Sequence, residues 1–79
     1  MALQTQPNNQ MKASAAAFSK REKEVISMIA EGLSTKIIAQ KCYLSSDTVA
    51  THRKNIIRKI NAVNTASAVA RAFRIGLLN

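Results

Sequence analysis

The sequence predicts an all-α fold, a bundle of four short helices, on three observations. Hydrophobic residues make up 47% of the chain but aromatics only 4%, which suits a small core of Ile, Val, Leu and Ala. Apolar residues recur three and four positions apart in successive stretches. Hydroxyl residues suited to N-caps open these stretches, and glycines at 32 and 76 close two of them. Seventy-nine residues make one domain at most, too small for a deep cleft between subdomains.

Residues 1–13, MALQTQPNNQMKA, show no helical period and place Pro7 among Asn and Gln. Residues 1–17 read as a disordered tail or linker, and the last few of them are also able to prolong the first helix. The helix-turn-helix domain is expected over residues 18–79. Ser19-Lys20-Arg21-Glu22 is a capping box with Phe18 at the staple position before it. Val25, Ile26 and Ile29 follow at helical spacing, and Gly32 is expected to end the helix in the left-handed conformation. Ser34 caps a second, shorter helix with apolar Ile37, Ile38, Ala39 and Cys42, and Tyr43-Leu44 forms the turn. Ser45 caps a third helix running to about Ile60. Asp47 and Thr48 in its first turn, and Arg58 and Lys59 near its end, suit the two poles of the macrodipole. After a polar break at 61–65, Thr65 is expected to cap a fourth helix, Ala66 to Ile75, ended by Gly76.

A short helix, a tight turn and a longer basic helix over residues 34–60 form a helix-turn-helix, the unit that presses a helix into the DNA major groove. The charge agrees. Twelve Lys and Arg against 4 Asp and Glu, net +8, with a pI near 10.4, predict attraction to a polyanion. A membrane partner is not expected, since no apolar run approaches the ~20 residues of a spanning helix. The N-terminus has no secretory pattern, and the lone Cys42 suits a reducing cytoplasm.

At about 100° per residue, Val49, Ile56 and Ile60 of the third helix fall within about 20° of one line, with Ile57 on the shoulder. That stripe should face the core, leaving Asp47, Ala50, Thr51, Lys54, Asn55 and Arg58 outward. The N-terminal half of such a helix meets base edges, so Ala50, Thr51 and Lys54 are the candidate readers. Lys54 can donate to guanine O6 and N7, and the Thr51 methyl can pack on a thymine methyl. Arg58, Lys36, and Ser45 with Thr48 at the helix start are candidate phosphate contacts. Arg53 turns its stem toward the core and should snorkel outward rather than read bases. His52 is expected at the core edge or donating to the backbone or a phosphate.

Glu22, Glu24 and Glu31 share the first helix without a nucleophile–base set, and no metal cluster or Gly-rich phosphate loop accompanies them. Neither an enzyme nor a bound cofactor is expected. On the fourth helix, Ala66, Val69, Ala70, Phe73 and Leu77 share a face expected to pack on the core. Ala68, Ala72 and Ile75 lie nearly opposite, and this uncharged stripe is the expected homodimer contact, rimmed by Arg71 and Arg74.

Two segments, FSKREKEVISMIAEGLSTKIIA and LSSDTVATHRKNIIRKI, resemble the LuxR-type (FixJ/NarL or GerE) helix-turn-helix domain. The family pattern runs roughly LTxREREVLxLIAxGxSNKEIA and ISxxTVKxHxxNIxxKL. The closing AVARAFRIGLL is similar to its final helix, and the resemblance covers about Phe18 to Leu78. It implies a tetrahelical bundle that binds double-stranded DNA as a dimer, reads the major groove with its third helix and controls transcription, with RNA polymerase a candidate further partner. Carried over by residue, the family's DNA contacts fall on Lys36, Thr48, Ala50, Thr51, His52, Lys54 and Asn55. Ala50 stands where Lys is usual, removing one cationic contact and altering the expected target sequence. Ile37 replaces Glu, Asn61 replaces Gly and Thr65 replaces Arg. A sensory domain usually precedes this module and residues 1–17 cannot hold one, so a stand-alone short regulator and a fragment of a longer chain both fit. The rival expectation is an anti-activator that pairs with a full-length regulator of the same fold. The cationic face argues against it, because interaction surfaces are poor in Lys at their centre.

Overall fold

The computed structural model describes residues 15–79, so most of the expected tail lies outside the described residues. A single 3-10 turn, Ala15–Ala17, precedes four helices: α1 (Lys20–Ala30), α2 (Thr35–Cys42), α3 (Ser46–Lys59) and α4 (Thr65–Arg74). Each begins on a side chain that accepts an otherwise orphaned amide. Ser19 Oγ accepts from the Glu22 amide at 3.0 Å while the Ser19 amide donates to Glu22 Oε1 at 2.9 Å, completing the capping box. Ser34 and Ser45 accept from the amides of Ile37 and Thr48 at 3.2 and 3.1 Å. The fourth cap is Asn64 rather than Thr65. Asn64 Oδ1 accepts from the Ser67 amide at 2.8 Å, and Ser67 Oγ accepts from the Asn64 amide at 3.2 Å. A cap at Thr65 would put Ala68 at the reciprocal position, where no side chain can reach back.

All four helices end in one motif. Gly32, Tyr43, Asn61 and Gly76 take the left-handed conformation, at φ +89°, +57°, +58° and +81°. The next amide in each case reaches back over the last turn: Leu33 to the Met28 carbonyl at 3.1 Å, Leu44 to Ala39 at 2.9 Å, Ala62 to Ile57 at 3.1 Å and Leu77 to Ala72 at 2.8 Å. These are Schellman closures, and Asn61 fills one of them where the family pattern has Gly. Tyr43 is the strained member, because a Cβ in this region costs about 1–2 kcal/mol. The residue is 94% exposed, so its ring offers little packing in return. Tyr43→Gly is therefore expected to stabilise the domain by about 0.5–1 kcal/mol after the extra backbone entropy of glycine is subtracted, raising the thermal midpoint by a few degrees. A lowered midpoint would show that the ring contributes to folding.

The helix α3 packs against each of the other three. Val49, Ile56 and Ile60 of α3 meet Val25 and Ile26 of α1 and Ile38, Ala39 and Cys42 of α2, with Phe18 closing one end, all of them buried. Full burial of an Ile or Val side chain is worth about 1.5–3 kcal/mol, so this stripe fixes which side of α3 remains outside.

The structure corrects the faces of α4. Ala68 and Ala72, expected at a dimer contact, are 2% and 0% exposed and belong to the core, and Ile75 packs against it. Ala66, Ala70 and Phe73, expected inside, are exposed, Phe73 to 50%; Val69 and Leu77 are half-buried at the core edge. Both sides of this helix are apolar, so periodicity alone did not choose between them. Small alanines let α4 approach α1 and α3 closely, a position its bulky side chains would prevent.

One ion pair ties the end of α3 to the start of α1. Lys59 Nζ donates to Glu22 Oε1 at 2.8 Å and to the Ala17 carbonyl at 3.3 Å, and sits 5.6 Å from the centroid of the Phe18 ring. Glu22 is 6% exposed. Burial alone would push its carboxyl up, but the hydrogen bonds from Lys59 and Ser19 and the Lys59 charge together hold it below the ordinary value. A depressed folded pKa means this stabilisation is complete above the ordinary carboxylate range and lost as pH falls through the folded value. Glu22→Gln is expected to lower stability at pH 7 by about 1–2 kcal/mol and to flatten the acid limb of the thermal midpoint below about pH 5. An acid limb identical to that of the unaltered chain would assign the pH dependence to other groups.

Candidate nucleic-acid interface

With the Val49–Ile56–Ile60 stripe buried, α3 turns Asp47, Thr51, Lys54 and Arg58 outward, all exposed. Residues 47, 51, 54 and 58 follow the three-and-four spacing of one helical line. Ala50, His52 and Asn55 are half-buried beside it. Lys36 is exposed in the first turn of α2. Ser45 and Thr48 are exposed at the start of α3, their hydroxyls 2.9 Å apart. The fold thus brings the nine expected DNA contacts onto α3, its cap and the start of α2.

Thr51 Oγ1 donates to the Asp47 carbonyl at 3.0 Å. Its one hydroxyl proton is committed to the helix backbone. What Thr51 offers a partner is its methyl group and a remaining acceptor lone pair. Ala50 beside it offers a methyl alone. Lys54 and Arg58 stand outside the two ion pairs found among the described residues, Arg21–Glu24 and Lys59–Glu22. The outward line therefore reads acid, methyl, cation, cation from its N-terminal end.

Arg53, expected to snorkel, is half-buried, and its Nη1 donates to Thr35 Oγ1 at 3.4 Å. This bond joins the two helices of the helix-turn-helix across 18 positions of chain. Helical periodicity does not reach that far along the chain, and the only sequence signal was the angle of Arg53 off the core stripe. Among the described residues no group of three or more His, Cys, Asp or Glu is placed to hold a metal ion. Among them, too, no helix is long and apolar enough to cross a membrane.

Residues 16–72 match the model of a family described as GerE, the bacterial regulatory proteins of the luxR family. The chain belongs to that family. It is 42% identical over 64 residues to the uncharacterised transcriptional regulatory protein YxjL of Bacillus subtilis, covering 81% of this chain and 29% of YxjL. It is 36% identical over 67 residues to the transcriptional regulatory protein FixJ of Bradyrhizobium diazoefficiens, covering 85% of this chain and 33% of FixJ. Among solved structures, the transcription factor GerE superposes with a TM-score of 0.76 at 29% identity, covering 78% of this chain and 92% of GerE. Escherichia coli SdiA superposes with a TM-score of 0.72 at 42% identity, covering 78% of this chain and 26% of SdiA. The chain spans about a third or less of YxjL, FixJ and SdiA. The four helices are the helix-turn-helix DNA-binding domain of the LuxR family, a family of transcriptional regulators.

Proposed function

We propose that this LuxR-family chain is a sequence-specific regulator of transcription in the cytoplasm that binds double-stranded DNA as a homodimer and lays α3 in the major groove. The observation that carries the reading is the outward line of α3. Its exposed Thr51, Lys54 and Arg58 sit on a helix whose opposite side is locked into the core, in a chain of net charge +8. Lys54 supplies donors for guanine O6 and N7, and Thr51, with its hydroxyl proton engaged, presents its methyl to a thymine methyl. His52 and Asn55 lie at the margins of this surface. Lys36, Ser45, Thr48 and Arg58 hold the backbone on either side. RNA polymerase is the further partner that transcriptional control brings to such a complex.

The homodimer contact moves with the corrected faces of α4. Ala66, Ala70 and Phe73 form an exposed apolar patch, with Val63 exposed just before the helix. Two small residues beside one ring let a second copy of the same helix approach across a two-fold axis. Each copy then meets one half-site, the two about one helical turn of DNA apart.

Selection of bound sequences from random duplex DNA at near-physiological salt tests the reading. Enrichment of a repeated half-site supports it. Binding without enrichment would make the chain a non-specific basic protein. Absence of binding would favour a protein-interaction module that uses the exposed Phe73 patch to pair with a full-length regulator.

A further inference from the structure

We propose that Arg53 and Lys36 together hold one DNA backbone phosphate beside the first turn of α2. The inference rests on the DNA-binding reading above and adds to it a residue whose position along α3 argues against base contact. Arg53 leaves α3 on the core side, and its guanidinium emerges at Thr35, one residue from Lys36, held there by the 3.4 Å bond to Thr35 Oγ1. A guanidinium carries five donors, and among the described residues this bond is the one interaction its head makes. Neither Arg53 nor Lys36 belongs to the ion pairs found among the described residues. The half-buried Arg53 thus has its head placed at Thr35 with no carboxylate paired to it among the described residues. The residue after Thr35, Lys36, is an exposed second cation in the first turn of α2. A phosphate supplies the missing anion, since its oxygens accept a forked guanidinium and a point-charge ammonium at once. In helix-turn-helix docking the first helix crosses the DNA backbone while the second lies in the groove, so this pair of cations faces phosphate, not base edges. Thr35 acts through Arg53, fixing where the fork is presented.

The test is binding of the whole chain to two probes, its selected duplex and a random duplex of equal length, over a range of salt concentrations. Arg53→Met keeps the apolar stem and removes the fork, and is expected to weaken both probes by a similar factor, about tenfold for a lost charge-assisted bond, with the thermal midpoint little changed. Lys36→Ala should do the same. Combining the two should lower the salt slope by about one, the share of a single phosphate, with a total loss smaller than the product of the single losses. Fully multiplicative losses with the slope falling by about two would assign the residues to separate phosphates and overturn the proposal. A DNA affinity unchanged by Arg53→Met would leave Arg53 as a tie between helices only. Should Arg53→Met disturb the fold, Arg53→Gln keeps a polar head without the charge, and a similar loss on both probes is then expected, with the salt slope lowered by about one when it is combined with Lys36→Ala. An affinity and slope unchanged by Arg53→Gln would count against the phosphate contact. Lack of enrichment in the selection would instead count against sequence reading and leave the phosphate contact intact.

Discussion

Ala72→Glu is expected to unfold the domain. Ala72 is fully buried, at 0% exposure, where α4 meets the core, and its neighbour one turn earlier, Ala68, is 2% exposed. A carboxylate there loses its hydration with no cation in place to receive it, a cost of several kcal/mol. The longer side chain adds overpacking of about 1–3 kcal/mol. A domain of this size has a total stability of roughly 4–12 kcal/mol, and the two costs together consume most of it. Far-ultraviolet circular dichroism at 25 °C should show a largely unfolded chain or a melting transition lowered by tens of degrees. Phe73→Glu is the matched comparison. Phe73 is half-exposed, so this variant should stay folded and lose only the paired occupancy of DNA in band shifts. A folded Ala72→Glu variant that fails to pair on DNA would return the dimer contact to the Ala68–Ala72 side.

The second large effect is on DNA. Lys54 is exposed midway along the outward line of α3, the position that the proposed major-groove docking would bring to base edges. Lys54→Ala is expected to weaken binding to the selected site by about 1–3 kcal/mol and to relax the preference at one base pair. Lys36→Ala, by contrast, should weaken every sequence alike, because a phosphate contact carries no base information. Competition binding against a panel of single-base variants separates the two. A uniform loss for Lys54→Ala would make it a phosphate contact.

The capping box at Ser19 and Glu22, the caps at Ser34 and Ser45, and the turns at Gly32 and Gly76 follow from short-range chemistry that is written in adjacent residues. The core stripe of α3 was legible for a different reason. Its inner side holds Val and Ile and its outer side holds polar and charged groups, so the two sides differ in kind. On α4 both sides are apolar and differ only in size, and size misled. Large side chains look like core, whereas close helix approach requires small ones. The Asn64 cap was missed because Thr65 caps equally well in isolation, and only the reply from Ser67 decides. The contacts of Lys59 with Glu22 and of Arg53 with Thr35 span 37 and 18 positions. They exist only once the helices have packed. The candidate DNA surface was legible because the amphipathic pattern of one helix defines it; its long-range supports were not.

Whether α3 reads bases from the major groove is decided by dimethyl sulfate footprinting of the bound, selected duplex. The reagent methylates guanine N7 in the major groove and adenine N3 in the minor groove. The expected result is protection of guanine N7 within each half-site, with adenine N3 left reactive, and loss of one protected guanine per half-site in Lys54→Ala. Protection of adenine N3 with guanine N7 left open would place the chain in the minor groove and rule out base reading by α3 in the major groove.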